Sequence, residues 1–253
     1  MRRLIVLFGL LVPAAASAQE GRIAFSRSVQ YEFELPEGFP EEMRERIPQA
    51  NVSELILFFN ATESIMVSAP KPEEPQAAGQ DRRMAGMADR LRRFSASRSD
   101  QEELLGTYID LEAGTMTETR SFLGRLFLIP SERPAFEWSL GSEQRQYLDF
   151  VVQKATTVHD GQEVEAWFTM QIPVPAGPGP YGGLPGMILL VTVDGGKTVY
   201  AASDVELEGL RGYTISEPTQ GEMATPEEYE KMVAEKLEQL EAMRTQRGRR
   251  RPF

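Results

Sequence analysis

A mostly β fold is what this chain predicts, and three observations carry the prediction. From Ile23 to Leu35 the apolar residues Ile23, Phe25, Val29, Tyr31, Phe33 and Leu35 fall on alternate positions, the period of a strand with one buried face. Aliphatic and aromatic runs then recur on either side of tight-turn residues, notably Asp160-Gly161 and Asp194-Gly195-Gly196, which tolerate the positive φ of a hairpin turn. Helical spacing is clear only near the C-terminus, where Tyr229, Val233, Leu237 and Leu240 recur.

The elements follow in order. After the first strand, Pro36 to Gln49 is rich in Pro and Glu and reads as a loop or short helix. Glu54–Asn60 and Glu63–Ser68 form a hairpin around Asn60-Ala61-Thr62. Lys71 to Glu103 carries prolines, many arginines and few aliphatics; it buries too little surface to offset ordering and is expected to be a disordered insertion. Strands resume at Leu104–Leu111, Met116–Phe122 and Leu126–Ile129, with a short strand at Phe136–Leu140. Gln146–Thr157 and Glu163–Ile172 make the clearest hairpin, and Met187–Val193 with Thr198–Leu207 the last. Between these two hairpins Pro173 to Gly186 is dense in Pro and Gly, expected to hold a defined shape without ladder hydrogen bonds. Thr225-Pro226-Glu227-Glu228 starts an amphipathic helix: Thr caps, Pro takes the first position, and Glu stands three residues on.

Composition narrows the function classes. Of 253 residues, 41% are hydrophobic and 26% charged, enough for a real core, and the net charge is -11. Such a surface repels phosphate backbones, so nucleic acid is not an expected partner. Cysteine is absent and His159 is the single histidine, which removes disulfides, thiolate metal sites and a Cys nucleophile. Neither a metal nor a cofactor is expected. Arg2-Arg3, the apolar run Leu4–Val12 and Ala16-Ser17-Ala18 have the pattern of an export signal cut after Ala18. The expected organisation is a signal peptide at 1–18, a β domain at 19–215 with its insertion at about 71–103, and a linker, helix and basic tail at 216–253. The mature chain is expected to be periplasmic or secreted, with no transmembrane segment after signal removal.

Tyr181-Gly182-Gly183-Leu184-Pro185-Gly186-Met187-Ile188-Leu189 resembles the signature of the GLPGLI family of exported bacterial proteins, common in the Bacteroidota, with Met187 in place of Leu. Ala166 to Thr169, Gln171 to Val174, Gly177-Pro178, Gln153 to Ala155, Phe122 to Ile129 and Val29 to Leu35 are similar to further family segments, so the resemblance covers nearly all of the mature chain. Members often carry a Cys where this chain has Val152, so no family thiol operates here. The resemblance implies a curved antiparallel sheet, a half-barrel or open barrel, and an envelope or secreted protein with no established activity.

Candidate sites compete with structural roles. Gly183, Leu184, Pro185 and Gly186, with Tyr181 and Trp167 as an aromatic wall, are the candidates for binding a hydrophobic ligand or partner protein. The stronger reading of this turn is structural, with Leu184 plugging the core and the glycines permitting close approach. Trp138 and Trp167 read as core residues in strands. His159 is expected at an exposed hairpin tip, and no Gly-x-Ser-x-Gly elbow accompanies it. The acidic pairs Glu41-Glu42, Glu73-Glu74, Glu102-Glu103 and Glu227-Glu228 lie in polar contexts that select none of them for catalysis. Met84 and Met87 in the insertion read as accidental neighbours, not a soft-metal site. The favoured function is a non-enzymatic exported binding protein. The alternatives are a carboxylate-dependent hydrolase and a structural or assembly factor of an outer-membrane system.

Overall fold

The computed structural model describes residues 19–30, 50–69 and 102–249. The signal-like N-terminus, the expected first strand beyond Gln30 with Tyr31, Phe33 and Leu35, the segment Pro36–Gln49, the body of the insertion with Met84 and Met87, and the end of the basic tail lie outside the described residues. Among the described residues twelve strands form one sheet: β1 (Gly21–Gln30), β2 (Ala50–Phe59), β3 (Glu63–Ser68), β4 (Glu102–Asp110), β5 (Thr115–Phe122), β6 (Arg125–Glu132), β7 (Ser139–Tyr147), β8 (Phe150–His159), β9 (Gln162–Thr169), β10 (Met187–Val193), β11 (Thr198–Glu206) and β12 (Glu222–Met223). Their order is β12-β6-β5-β4-β3-β2-β1-β11-β10-β9-β8-β7. All neighbours are antiparallel except β12, which lies parallel on β6. A helix, α1, covers Pro226–Arg249.

Turn chemistry fixes the hairpins. Asp160 and Gly161 hold φ of 50° and 78°, the double positive φ that a two-residue turn of the right twist demands. Asn60 Oδ1 accepts the backbone N–H groups of Thr62 and Glu63, both at 2.8 Å, and so shapes the β2–β3 turn.

The sheet is strongly curled. The connection from β6 to β7 uses only residues 133–138 and spans at most about 25 Å. Ten strand-to-strand steps separate β6 from β7 in the order; laid flat at about 4.8 Å each they would cover about 48 Å. The two ends of the sheet must therefore turn toward one another, giving an open barrel with β7 and β12 as its edges. The expected strand at Phe136–Leu140 is displaced for the same reason. Residues 133–138 pair with no strand, Pro134 has no N–H to offer, and β7 begins at Ser139.

Register defines two faces. Ile23, Leu57, Met66, Thr107, Glu118 and Ile129 stand side by side across six strands on the inner face. Phe58, Ile65, Tyr108 and Thr117 share the outer face. Outside, the chain following β11 crosses back over the sheet toward β12. Tyr213 stacks on Phe58 with ring centroids 3.9 Å apart, Ile215 is buried beside Tyr108, and Glu217 accepts the Thr117 hydroxyl at 2.9 Å. Inside, α1 seats Tyr229 and Val233 on Phe122, Phe127 and Ile129. Its start is the expected capping box: Thr225 Oγ1 accepts the Glu228 N–H at 3.2 Å and Glu228 Oε2 accepts the Thr225 N–H at 3.0 Å.

Candidate functional site

The Pro/Gly segment 170–186 is a plug inside the curled sheet. Ile172, Val174, Ala176 and Leu184 are buried in one cluster with Ile23, Phe25, Leu57 and Phe59. A buried loop must satisfy its own backbone, and several internal bonds do this here. Val174 donates to Ile172 O and Ala176 to Val174 O, each at 2.8 Å; Gly183 donates to Pro175 O at 3.2 Å; Met187 and Ile188 return to Ile172 O and Ala176 O, each at 2.9 Å. Gly179 N–H reaches Met66 Sδ at 3.3 Å in the interior.

The crossover 133–138 clamps the plug. Arg133 donates from its guanidinium to Pro175 O at 2.8 Å, and burial lowers its pKa. The Trp138 indole N–H donates to Gly182 O at 2.9 Å. Phe136 touches the rings of Trp138 and Tyr181, each at 5.4 Å between centroids, and of His159 at 4.7 Å. Tyr181 continues the chain to Tyr200 at 5.9 Å, and burial pushes its phenol up to about 12.

The residues singled out in the sequence are thus divided. Leu184 is buried and fills the core, Gly186 is buried against the end of β9, and Gly183 and Pro185 face solvent. Tyr181 belongs to the Phe136–Tyr200 chain. Trp167 belongs to the same buried cluster as Leu184 but makes no ring contact with Tyr181: its indole N–H donates to Glu165 at 2.8 Å and the Arg145 guanidinium lies 4.0 Å over its ring. Burial opposes ionisation of Glu165, but Lys154 and that indole N–H outweigh it and hold the carboxyl below the usual range. The aromatic partner of Tyr181 is Phe136, in a segment that sequence patterning assigns to a strand. His159 closes β8 at the tip of its hairpin with β9, as expected, but is half-buried there with its ring against Phe136.

Two further regions were not legible in the sequence. One is a polar strip on the inner face, between plug and helix. Arg120 donates to Glu102 at 2.5 Å and to Glu118 at 2.8 Å. Glu102 opens β4 and is no loop residue. Burial works against the Arg120 charge, but the two carboxylates raise its pKa overall. The guanidinium occupies the space between these acids, where a hydrolase would need a water or a glycosidic oxygen. Arg27 and Tyr200 face the strip from β1 and β11, with the guanidinium 5.7 Å from the ring centroid. Burial raises the Tyr200 phenol's pKa against the opposing pull of Arg27.

The other region is an open cleft of about 620 Å³ at the end of the sheet, between the β7–β8 turn and the chain leaving β11. Phe150, Val205 and Leu207 give it an apolar floor, while Asp149, Asp204, Glu206 and Glu208 stand around it. Glu206 is shared by Arg22 at 2.9 Å and Arg211 at 2.6 Å. Among the described residues no group of three or more acidic or histidine side chains is arranged to hold a metal ion, and no helix is long and apolar enough to cross a membrane.

An open, curled antiparallel sheet with an internal Pro/Gly plug is the class of structure these features define. Residues 157–190, which run from the end of β8 through the plug into β10, match a family described as a protein of unknown function (Porph_ging). No curated protein matches the chain. Among solved structures, it is similar to PNGF-II in its P21 form, with a TM-score of 0.53 and 15% identity over 85% of this chain and 33% of that one. The C2 form of PNGF-II gives a TM-score of 0.54 with the same identity and coverage. The chain therefore spans about a third of the length of those structures, and the likeness is one of fold.

Proposed function

We propose that this chain is an exported binding protein without a reacting centre, and that it engages a partner protein through the cleft at the end of the sheet. The cleft is the observation that carries the reading. It joins an apolar floor to a rim of Asp149, Asp204, Glu206 and Glu208, with Arg211 also lining it, and this excess of acid suits a polypeptide segment presenting apolar and basic side chains. The interior of the curled sheet is a poorer host for a hydrophobic ligand, because the plug occupies it. Export is supported by the Arg2-Arg3, apolar and Ala16-Ser17-Ala18 pattern. Membership of the GLPGLI family is supported by its hexapeptide, Gly183 to Ile188, falling within the matched stretch 157–190.

Photo-crosslinking tests the reading. A photoreactive residue at position 148 or 208, on the cleft, is expected to capture one discrete envelope protein, whereas one at exposed Met223 on the opposite edge is not. Reversing charge with Asp149→Lys and Glu208→Lys should abolish that product. Equal capture at both edges, or capture indifferent to the reversal, would refute the cleft as the binding surface.

A further inference from the structure

The cut expected after Ala18 makes Gln19 the first residue of the mature chain, and β1 starts only two residues later, at Gly21. The passage there is narrow. A β-carbon on Gly21 would press into the Glu206 carbonyl oxygen and lie 3.0 Å from the Phe59 ring and 3.3 Å from Leu207 Cα. Arg22 donates to Glu206 at 2.9 Å, and Ile23 is fully buried. Glu20 lies along the chain leaving β11, since a β-carbon on Gly209 would stand 3.3 Å from its Oε1. Gln19 itself is half-buried, and its side-chain oxygen is buried without a hydrogen-bond partner. The first residues after the expected cut are thus held against β2 and β11 as part of the sheet.

Glutamine has a chemistry at a chain start that it lacks elsewhere. Its free α-amine can reach its own carboxamide carbon and close a γ-lactam, an intramolecular reaction favoured by proximity. An ordinary α-amine has a pKa of about 7.7–8.0, so part of it is unprotonated and nucleophilic near neutral pH. The position of Gln19 favours the product, because a half-buried ammonium must shed hydration and a neutral lactam need not.

We propose that Gln19 is a modification site, converted to pyroglutamate once the leader is removed; this rests on the export reading above. The α-nitrogen attacks Cδ, the N–Cδ bond forms, and the Cδ–Nε2 bond breaks. One amine proton passes to the departing nitrogen, which leaves as ammonia. No oxidant, reductant or second reactant enters. The product carries no N-terminal charge beside the cleft, whose residues Glu206 and Leu207 border Gly21, so the rim keeps its excess of acid.

Mass spectrometry of the full-length chain, expressed with its leader in an exporting bacterium, tests the site. Reductive dimethylation of the intact protein at harvest marks every free α-amine and blocks its later cyclisation. The N-terminal chymotryptic peptide ending at Phe25 is expected to start at Gln19, to carry no label, and to be lighter than the free form by one ammonia. The Gln19→Ala variant should carry the label at position 19. A labelled amine on Gln19 itself would overturn the modification and leave export standing. An N-terminal peptide that starts before or after Gln19 would overturn the cut, and with it the proposal.

Discussion

Replacing Gly186 by alanine tests the plug where it presses hardest on neighbouring backbone. A β-carbon there would press into the Thr169 carbonyl oxygen and lie 2.8 Å from its carbonyl carbon and 3.1 Å from Met170 Cα. All three neighbours are backbone atoms of the β9 exit, so no side chain can swing aside. Relief requires the plug to shift, which endangers the neighbouring Met187 N–H to Ile172 O bond of 2.9 Å. Overpacking at about 3 kcal/mol and a lost hydrogen bond at about 1 kcal/mol give a cost of about 4 kcal/mol. Gly183 provides the internal comparison. It has φ of 83°, but its β-carbon would meet nothing within 4 Å, so alanine there costs only the left-handed strain of about 1–2 kcal/mol. Urea unfolding followed by circular dichroism, with m-values checked for constancy, measures both. Equal losses, or a larger loss for Gly183→Ala, would refute the close-packed plug.

Other consequences are simpler to read. Trp138→Phe leaves the Gly182 carbonyl without its indole donor and should cost about 1 kcal/mol by the same unfolding assay. Thr225→Ala removes the cap of α1 and should also cost about 1 kcal/mol, read as lost helical signal and a lower midpoint. Tyr181 keeps its proton to about pH 12 in the folded chain, whereas an unfolded tyrosine releases it near about pH 10. The folded state then holds more protons than the unfolded across that window. Stability from this group is present below the lower value and falls as pH rises, by at most about 1.4 kcal/mol per unit. Tyr229, also raised to about 12 by burial first and then by Glu102, adds to the slope. Alkaline unfolding curves of the Tyr181→Phe, Tyr229→Phe double variant should be flatter between these values than those of the unaltered chain.

Local chemistry explains why some of this fold was legible. Asp160-Gly161 announces its turn because both positions need positive φ, and Thr225 to Glu228 announces a helix because the capping box is written in four residues. Alternation located β1 and most later strands for the same reason. What failed depended on distant partners. Trp138 looks like a strand residue until its indole is seen to serve Gly182, and the chain at Phe136 is committed to clamping the plug. The two residues of β12 have no local signature, since only β6 gives them a partner. The plug has the composition of an exposed loop, and its burial rests on internal hydrogen bonds that no spacing rule encodes.

Amide hydrogen exchange by NMR is the most direct measure of whether segment 170–186 is interior structure. Val174, Ala176 and Gly183 are predicted to exchange as slowly as the amides of β10, with protection approaching the global unfolding free energy. Exchange at these three positions close to unprotected rates, while β9 and β10 remain protected, would contradict the plug and reopen the interior of the sheet as a ligand cavity.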